Sequence, residues 1–242
     1  MNIEDLSPDD AVLLQWKFIS LNYTIVYTWL VMVLLVGIAW LSTRKLSSGR
    51  NISRRQNFLE IIVGTINKQI QEVSQEDSAR YLPFIGTLFL FIATSNLLAV
   101  VPGFHSPTAS LSTTTALALC VLVAVPYYAI SKQGVVGYLK QYVQPTPLML
   151  PFNLIGELSR TLALAVRLFG NMMSGAKIAA ILLAIAPLFF PILMNALGLL
   201  TGLIQAYIFA VLALVYIASA SQAHHRPEAI AQSETTESKN VS

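Results

Sequence analysis

The sequence predicts an all-α polytopic membrane protein with five membrane-crossing helices. The last two are expected to be long, strongly tilted and paired as a hairpin, and the 42–81 loop to carry an amphipathic helix. Three observations lead there. Of 242 residues 55% are hydrophobic and only 11% charged, whereas a soluble domain carries roughly 25% charged residues. Several apolar runs reach the ~20 residues that cross a hydrocarbon core as helix. Lys and Arg concentrate in alternate connections between those runs, as the positive-inside bias requires. The net charge of +3 points to no nucleic acid. Cys120 is the only cysteine, so no intrachain disulfide can form.

Residues 1–22 form an acidic segment (Glu4, Asp5, Asp9, Asp10) without the basic start of a cleavable signal. Trp16, Phe18, Tyr23 and Trp29 suit an interfacial approach. The first span covers about Tyr23–Leu41. The 42–81 loop then brings Arg44, Lys45, Arg50, Arg54, Arg55, Lys68 and Arg80 with four acids between them. Inside it Phe58, Ile61, Ile62, Ile66, Ile70 and Val73 recur at helical spacing. That pattern fits an amphipathic helix on the membrane surface or against partner helices, and equally a solvated basic loop with a helix in it.

The second span covers about Tyr81–Val101, holds Ser95 and Asn96, and ends at Pro102-Gly103. A polar connection without Lys or Arg leads to the third span, about Thr113–Ile130. The Thr113–Thr115 run reads as a helix start. Residues 131–147 form a short connection with Lys132 and Lys140, either a plain loop or the tip of a helical hairpin. The fourth segment runs from Leu148 to Pro187 and the fifth from about Pro191 to Ala220. The polar tail, 223–242, reads as disordered. The domain division is thus 1–22 outside, a single transmembrane helical domain over 23–222, and the tail inside. The absence of internal repeats argues against an inverted-repeat transporter. The loop charges place the N-terminus outside and the C-terminus inside.

As continuous helix the fourth segment would reach about 58 Å and the fifth about 45 Å, across a core only ~30 Å thick. Either each breaks or both lie steeply tilted. No proline interrupts the fourth between Pro151 and Pro187, which favours tilt. Three ordinary spans cannot cover two such helices, which leaves a long face for a partner.

Charge inside the fourth segment needs a reason, because an ionisable group there costs roughly 2.5–3.5 kcal/mol on insertion scales. Arg160 and Arg167 are seven apart, with Asn153 seven before Arg160 and Asn171 four after Arg167. This is a polar stripe on an apolar helix. Glu157 lies three before Arg160 and can pair with it. Arg167 has no acid within four residues on either side, and no other span carries Asp or Glu in its apolar core. A structural role would have it snorkel or pair within this chain. A functional role would have it meet a carboxylate from another subunit and hold that group ionised. Gly170, Gly175, Gly198 and Gly202 are expected to let helices approach closely. Lys177 suits the outer half of the fourth helix. His105 is either a channel-mouth residue or an inert loop histidine. His224 and His225 alone make a poor metal site.

RLFGNMMSG (167–175), PFNLIGELSRTLALAV before it, LIQAYIFAVLALVYIASA (203–220) after it and YLPFIGTLFLFIATSNLLAVVPG (81–103) closely resemble subunit a of rotary F-type ATP synthases. The resemblance covers about 80–220. It implies an ion-conducting stator that presents a tilted helix hairpin to a rotating ring of c subunits, beside b-type peripheral stalk subunits and lipid. Two offset half-channels would pass H⁺ or Na⁺. Arg167 matches the family's essential arginine, Asn171 the asparagine of its motif, Gln205 the glutamine that supports the arginine, and Asn96 a polar position in the second span. Glu157 matches an acid on the inner half-channel, with Arg160 beside it. A bacterial inner or a thylakoid-type membrane is implied.

The chain departs from the family pattern at Ala176 and Gly198, where an acid or histidine is common. That leaves a water-filled outer path lined by Ser95, Asn96, His105, Ser110 and Thr113–Thr115, or a different ion. It resembles a bacterial side branch for which Na⁺ coupling is proposed. No nucleotide-binding loop is present, so the chain is expected to be non-catalytic alone, without cofactor or metal. The alternatives are a self-contained channel or secondary transporter, and a structural scaffold.

Overall fold

The computed structural model describes residues 12–16, 19–43, 54–74, 78–101, 104, 106–143, 148–185 and 190–222. The expectations for residues 1–11, for His105 and for the tail 223–242 lie outside the described residues. Among the described residues six α-helices follow one another: α1 Tyr23–Thr43, α2 Arg54–Ser74, α3 Leu82–Leu98, α4 Leu111–Val143, α5 Met149–Ile185 and α6 Phe190–Gln222. Short 3₁₀ turns stand at Ser78–Arg80 and Pro107–Ala109. Sequence reasoning missed one element. Val12–Trp16 (β1) and Ile19–Asn22 (β2) pair antiparallel, Trp16 against Ile19, with an irregularity between Val12 and Leu14.

Three helices are long and apolar enough to cross a membrane by length and composition: Thr24–Leu41, Leu111–Leu139 and Ile192–Ser221. The α3 helix is a shorter apolar one of 17 residues. The α5 helix carries Glu157, Arg160, Arg167 and Lys177 within its 37 residues.

The core lies among α3, α4, α5 and α6. The inner face of α6 has Ala206, Phe209, Ala210, Ala213, Leu214, Ile217 and Ala218, all buried. Their spacing of three and four is one helical stripe. Small residues there bring backbones close, and dispersion and packing hold helices together where lipid competes for apolar contact. Leu164, Ala165 and Leu168 supply the facing stripe of α5.

The α1 helix stands at the edge, with Trp29, Val33 and Val36 exposed and only Val31 and Thr24 buried. The Tyr27 ring meets Phe104 edge-on at 4.8 Å. The α2 helix is amphipathic as expected. It buries Ile70 and packs Ile66 and Val73 on the core, while Ile61 and Val63 stay exposed. The Tyr207 hydroxyl donates to Gln69 Oε1 at 2.7 Å and ties α2 to α6. Partner helices of this chain therefore receive that face, one of the two expected settings.

The expected third span and the connection after it form one long element. α4 is interrupted at Gly134, whose φ of 76° and ψ of 165° lie outside the helical region. Glycine meets that conformation without a Cβ penalty. Just before the break, Gln133 Nε2 donates to the carbonyls of Ala220 and Ser221 at 3.0 and 2.9 Å, so α4 caps the end of α6. The Arg80 guanidinium donates to Ser131 Oγ and ties the start of α3 to the same end. Tyr81, buried, packs on Tyr128 with ring centroids 5.4 Å apart.

One expectation is corrected. Gly170, Gly175 and Gly198 face open space, with nothing within 4 Å of the position a Cβ would take. Only Gly202 marks a close approach: a Cβ there would stand 3.0 Å from Asn96 Cβ. A glycine in a membrane helix implies close packing only where the helix turns it inward, and one-dimensional sequence does not show which way it turns.

Candidate functional site

The α5 helix sets the geometry. Leu, Ala and Ile dominate it and no proline interrupts it past Pro151, so hydrogen bonding continues through the charges. Because Leu164, Ala165 and Leu168 turn inward, Arg167 turns outward. It stands on an exposed stripe with Arg160, Ala163, Gly170 and Ser174. Sequence reasoning found no acid for it in the neighbouring spans, and no hydrogen bond or ion pair engages it among the described residues.

Opposite lies α6. Asn171 Nδ2 donates to the Thr201 carbonyl at 3.4 Å. Arg160 lies over the ring of Tyr216, 5.7 Å from its centroid. The later residue of α5 thus meets the earlier residue of α6, so the two helices run in opposite senses. Four residues back along α5 from Asn171 is Arg167, and four residues on along α6 from Thr201 is Gln205. Each step is one turn of about 6 Å, so Arg167 and Gln205 stand at the same level of the pair. Gln205 is buried and its Nε2 has no partner among the described residues.

On the far side of α6 a buried polar cluster has formed. Asn96 Nδ2 donates to the Gly202 carbonyl at 2.7 Å. Thr108 Oγ1 donates to Asn96 Oδ1 at 2.6 Å, and Ser106 Oγ stands 2.7 Å from Thr108 Oγ1. Ser95, Asn96, Ser106, Thr108, Ser110 and Thr114 are all buried. Ser95 Oγ has no partner among the described residues. The structure therefore brings together Ser95, Asn96, Ser110 and Thr114 of the expected outer path. Thr115 is exposed. Thr114 Oγ1 donates to the Leu111 carbonyl of its own helix at 3.0 Å, a back-bond within the first turn and not a cap, and α4 starts at Leu111, before the Thr113–Thr115 run. Sequence reasoning missed Ser106 and Thr108. Their only signal was a polar pair around Pro107.

Toward the start of α5 a cavity of about 560 Å³ opens among α4, α5 and α6. Asn153, Glu157, Arg160, Thr161, Tyr216 and Ser219 bring polar atoms to it. The structure thus joins Glu157 and Arg160 in one cavity. It adds Tyr216, whose ring offers Arg160 a cation–π contact. This cavity and Arg167 are separate places on α5. Lys177 is exposed. No cluster of metal-ligating residues occurs among the described residues.

The arrangement can hold a fixed cation on an open side of α5, keep a buried amide at its level, and offer neutral hydroxyls and amides on one side and a charged cavity on the other. A family model described as ATP synthase A chain matches residues 25–218. Among similar curated proteins, "ATP synthase subunit a 2" of Acaryochloris marina is 63% identical over 217 residues, 90% of this chain and 93% of that relative. "ATP synthase subunit a 1" of Chlorobaculum parvum is 62% identical over 221 residues, 91% and 98%. "ATP synthase subunit a" of Albidiferax ferrireducens is 62% identical over 218 residues, 90% and 94%.

Proposed function

The chain belongs to the ATP synthase A chain family, and from that premise we propose that it is the stator subunit through which ions reach a rotating ring of c subunits. Five helices cross the membrane in this reading, α1 and α3 to α6. The N-terminus lies outside and the C-terminus inside a bacterial inner or thylakoid-type membrane. The α5–α6 pair forms the tilted hairpin that faces the ring, and b-type stalk subunits hold the stator still.

One observation carries the reading: Arg167 is exposed on a long, mostly apolar helix, and no hydrogen bond or ion pair engages it among the described residues. A guanidinium left against lipid there would cost several kcal/mol. A ring carboxylate passing at its level would offset that cost and be held ionised by the adjacent positive charge. A bound ion must then leave before the carboxylate passes, and cannot slip past without rotation. Gln205, level with Arg167, supports the guanidinium, and Asn171 holds the facing turn of α6. The cavity with Asn153, Glu157 and Arg160 serves as the inner half-channel, and the Ser95–Asn96 region borders the outer one.

A second reading concerns the ion. Ala176 is exposed and Gly198 has nothing within 4 Å of its Cβ position, so the usual titratable pair is missing from the outer side. The buried groups there are neutral oxygens and amides, which suit a hard cation without a proton relay. Na⁺ transport follows in this reading, and H⁺ transport through bound water in the other.

Cysteines at Ala163 or Ser174, both exposed on the Arg167 side of α5, with one on the outer helix of the ring subunit, test the face. Oxidation should join the two chains and stop ATP-driven rotation. If the chain purifies without a small two-helix ring protein and moves ions alone, it is a self-contained channel or transporter instead.

A further inference from the structure

Two carbonyls in succession on α6 are gripped from opposite sides. Asn171 of α5 donates to the Thr201 carbonyl and Asn96 of α3 to the Gly202 carbonyl. The next turn of α6 carries Gln205.

The grip from α3 depends on which way the Asn96 amide points. Its NH₂ and carbonyl ends are nearly the same shape, so packing alone does not choose between them. The Gly202 carbonyl only accepts, so Nδ2 must face it and Oδ1 must face Thr108, 2.6 Å away. Thr108 must then be the donor. With its one proton committed to Asn96, Thr108 Oγ1 can only accept from Ser106, whose single proton is shared between Thr108 Oγ1 at 2.7 Å and the Ser95 carbonyl at 3.2 Å. The chain of donors runs in one direction: Ser106 to Thr108, Thr108 to Asn96, Asn96 to Gly202. All four residues are buried, where a reversed amide would set two oxygens against each other and leave them unpaired. Gly202 permits the approach, since a Cβ there would lie 3.2 Å from Asn96 Nδ2.

We propose that Thr108 is a positioning residue for ion coupling: its hydroxyl anchors Oδ1 of the Asn96 amide whose Nδ2 grips Gly202, and the anchored amide holds the height and rotation of α6 and so keeps Gln205 level with Arg167. Its functional half rests on the stator reading given above. Both ends of the Asn96 amide are committed, so Asn96 acts as a clamp on α6 and not as a ligand on the ion path. Of the buried polar atoms left unpaired there among the described residues, Ser95 Oγ can accept from water or meet a cation, and Gln205 Nε2 can only donate.

The test uses the whole complex. In a Cys120→Ala background, Asn171→Cys and Thr201→Cys report the α5–α6 register through disulfide formation. Removing Asn171 also leaves the Asn96 grip as the remaining tie of this pair. Adding Thr108→Val keeps the side-chain shape and removes the donor. The rate of cross-linking should then fall roughly threefold or more, the scale of a hydrogen bond within a membrane bundle. In complexes that carry only the Thr108 substitution, ATP-driven ion uptake should fall by a similar factor. Thr108→Ser, which keeps the donor, should stay close to the parent in both measurements. The proposal is overturned if Thr108→Val cross-links at the parent rate, if it pumps at the parent rate, or if Thr108→Ser is impaired as much as Thr108→Val. Cross-linking needs no ion movement, so a failure there overturns the latch and leaves the stator assignment standing.

Discussion

Arg167 and Gln205 present opposite problems at the level of single residues. The arginine is exposed and charged where water is scarce, and the glutamine is buried with an unmet donor. Both are costly in the isolated chain, and both costs fall if something polar arrives at their shared level. Gly202 is the nearest test of how tightly that level is set. Gly202→Ala would put a methyl 3.0 Å from Asn96 Cβ and 3.2 Å from its Nδ2. The loss of stability should be about 1–3 kcal/mol, as for overpacking elsewhere, with loss of coupled pumping. Thermal unfolding of the purified complex and vesicle uptake check the two parts. Arg167 was legible in the sequence because a charge in an apolar run is visible in one dimension. The Asn96–Gly202 bond was not. Its partners are 106 positions apart, and nothing local to either residue announces the other. The four glycines show the same limit: spacing identified them all, but only Gly202 faces a neighbour.

Elements were more legible than contacts. The expected spans 23–41, 81–101, 148–187 and 191–220 correspond to Tyr23–Thr43, Leu82–Leu98, Met149–Ile185 and Phe190–Gln222. Long apolar runs bounded by proline and charge leave helices few other places to end. The amphipathic helix was legible from its period, and Ile66, Ile70 and Val73 do turn to the core. The 131–147 segment was read as a connection because Lys132, Lys140 and two glycines break its apolarity. In the structure the helix pauses at Gly134 and resumes to Val143. The β1–β2 ribbon escaped notice because strands of five and four residues carry too short a pattern. Gly134 has open space around its Cβ position but a φ of 76°. Gly134→Ala should therefore destabilise through the backbone alone, by about 1–2 kcal/mol. Replacing it should also loosen the Gln133 bonds to Ala220 and Ser221. Faster amide hydrogen exchange at the end of α6 would report that.

The molecule as a whole is an incomplete surface. A core of α3 to α6 is closed on itself, yet α5 and α6 turn Leu158, Leu162, Val166, Leu200, Leu203 and Ile204 outward. Lipid could cover such a face, but lipid gives no partner to Arg167 at its border. Ala163→Trp separates the two. Ala163 is exposed one turn before Arg167, so the change should alter the stability of the isolated chain by no more than about 0.5 kcal/mol. If the face carries a turning partner, the same change should block assembly or ATP-driven rotation. A lipid-facing position would tolerate it in both measurements.

Ion uptake by inverted vesicles that carry the complete complex tests the role of Arg167 most directly. Uptake is driven by ATP, H⁺ and Na⁺ are followed separately, and wild type is compared with Arg167→Ala. The stator reading predicts that wild type pumps and the variant does not, while the peripheral part still hydrolyses ATP. The ion that moves in wild type decides between the H⁺ and Na⁺ readings. If Arg167→Ala pumps as well as wild type, the arginine is structural, and coupling does not pass through the exposed face of α5.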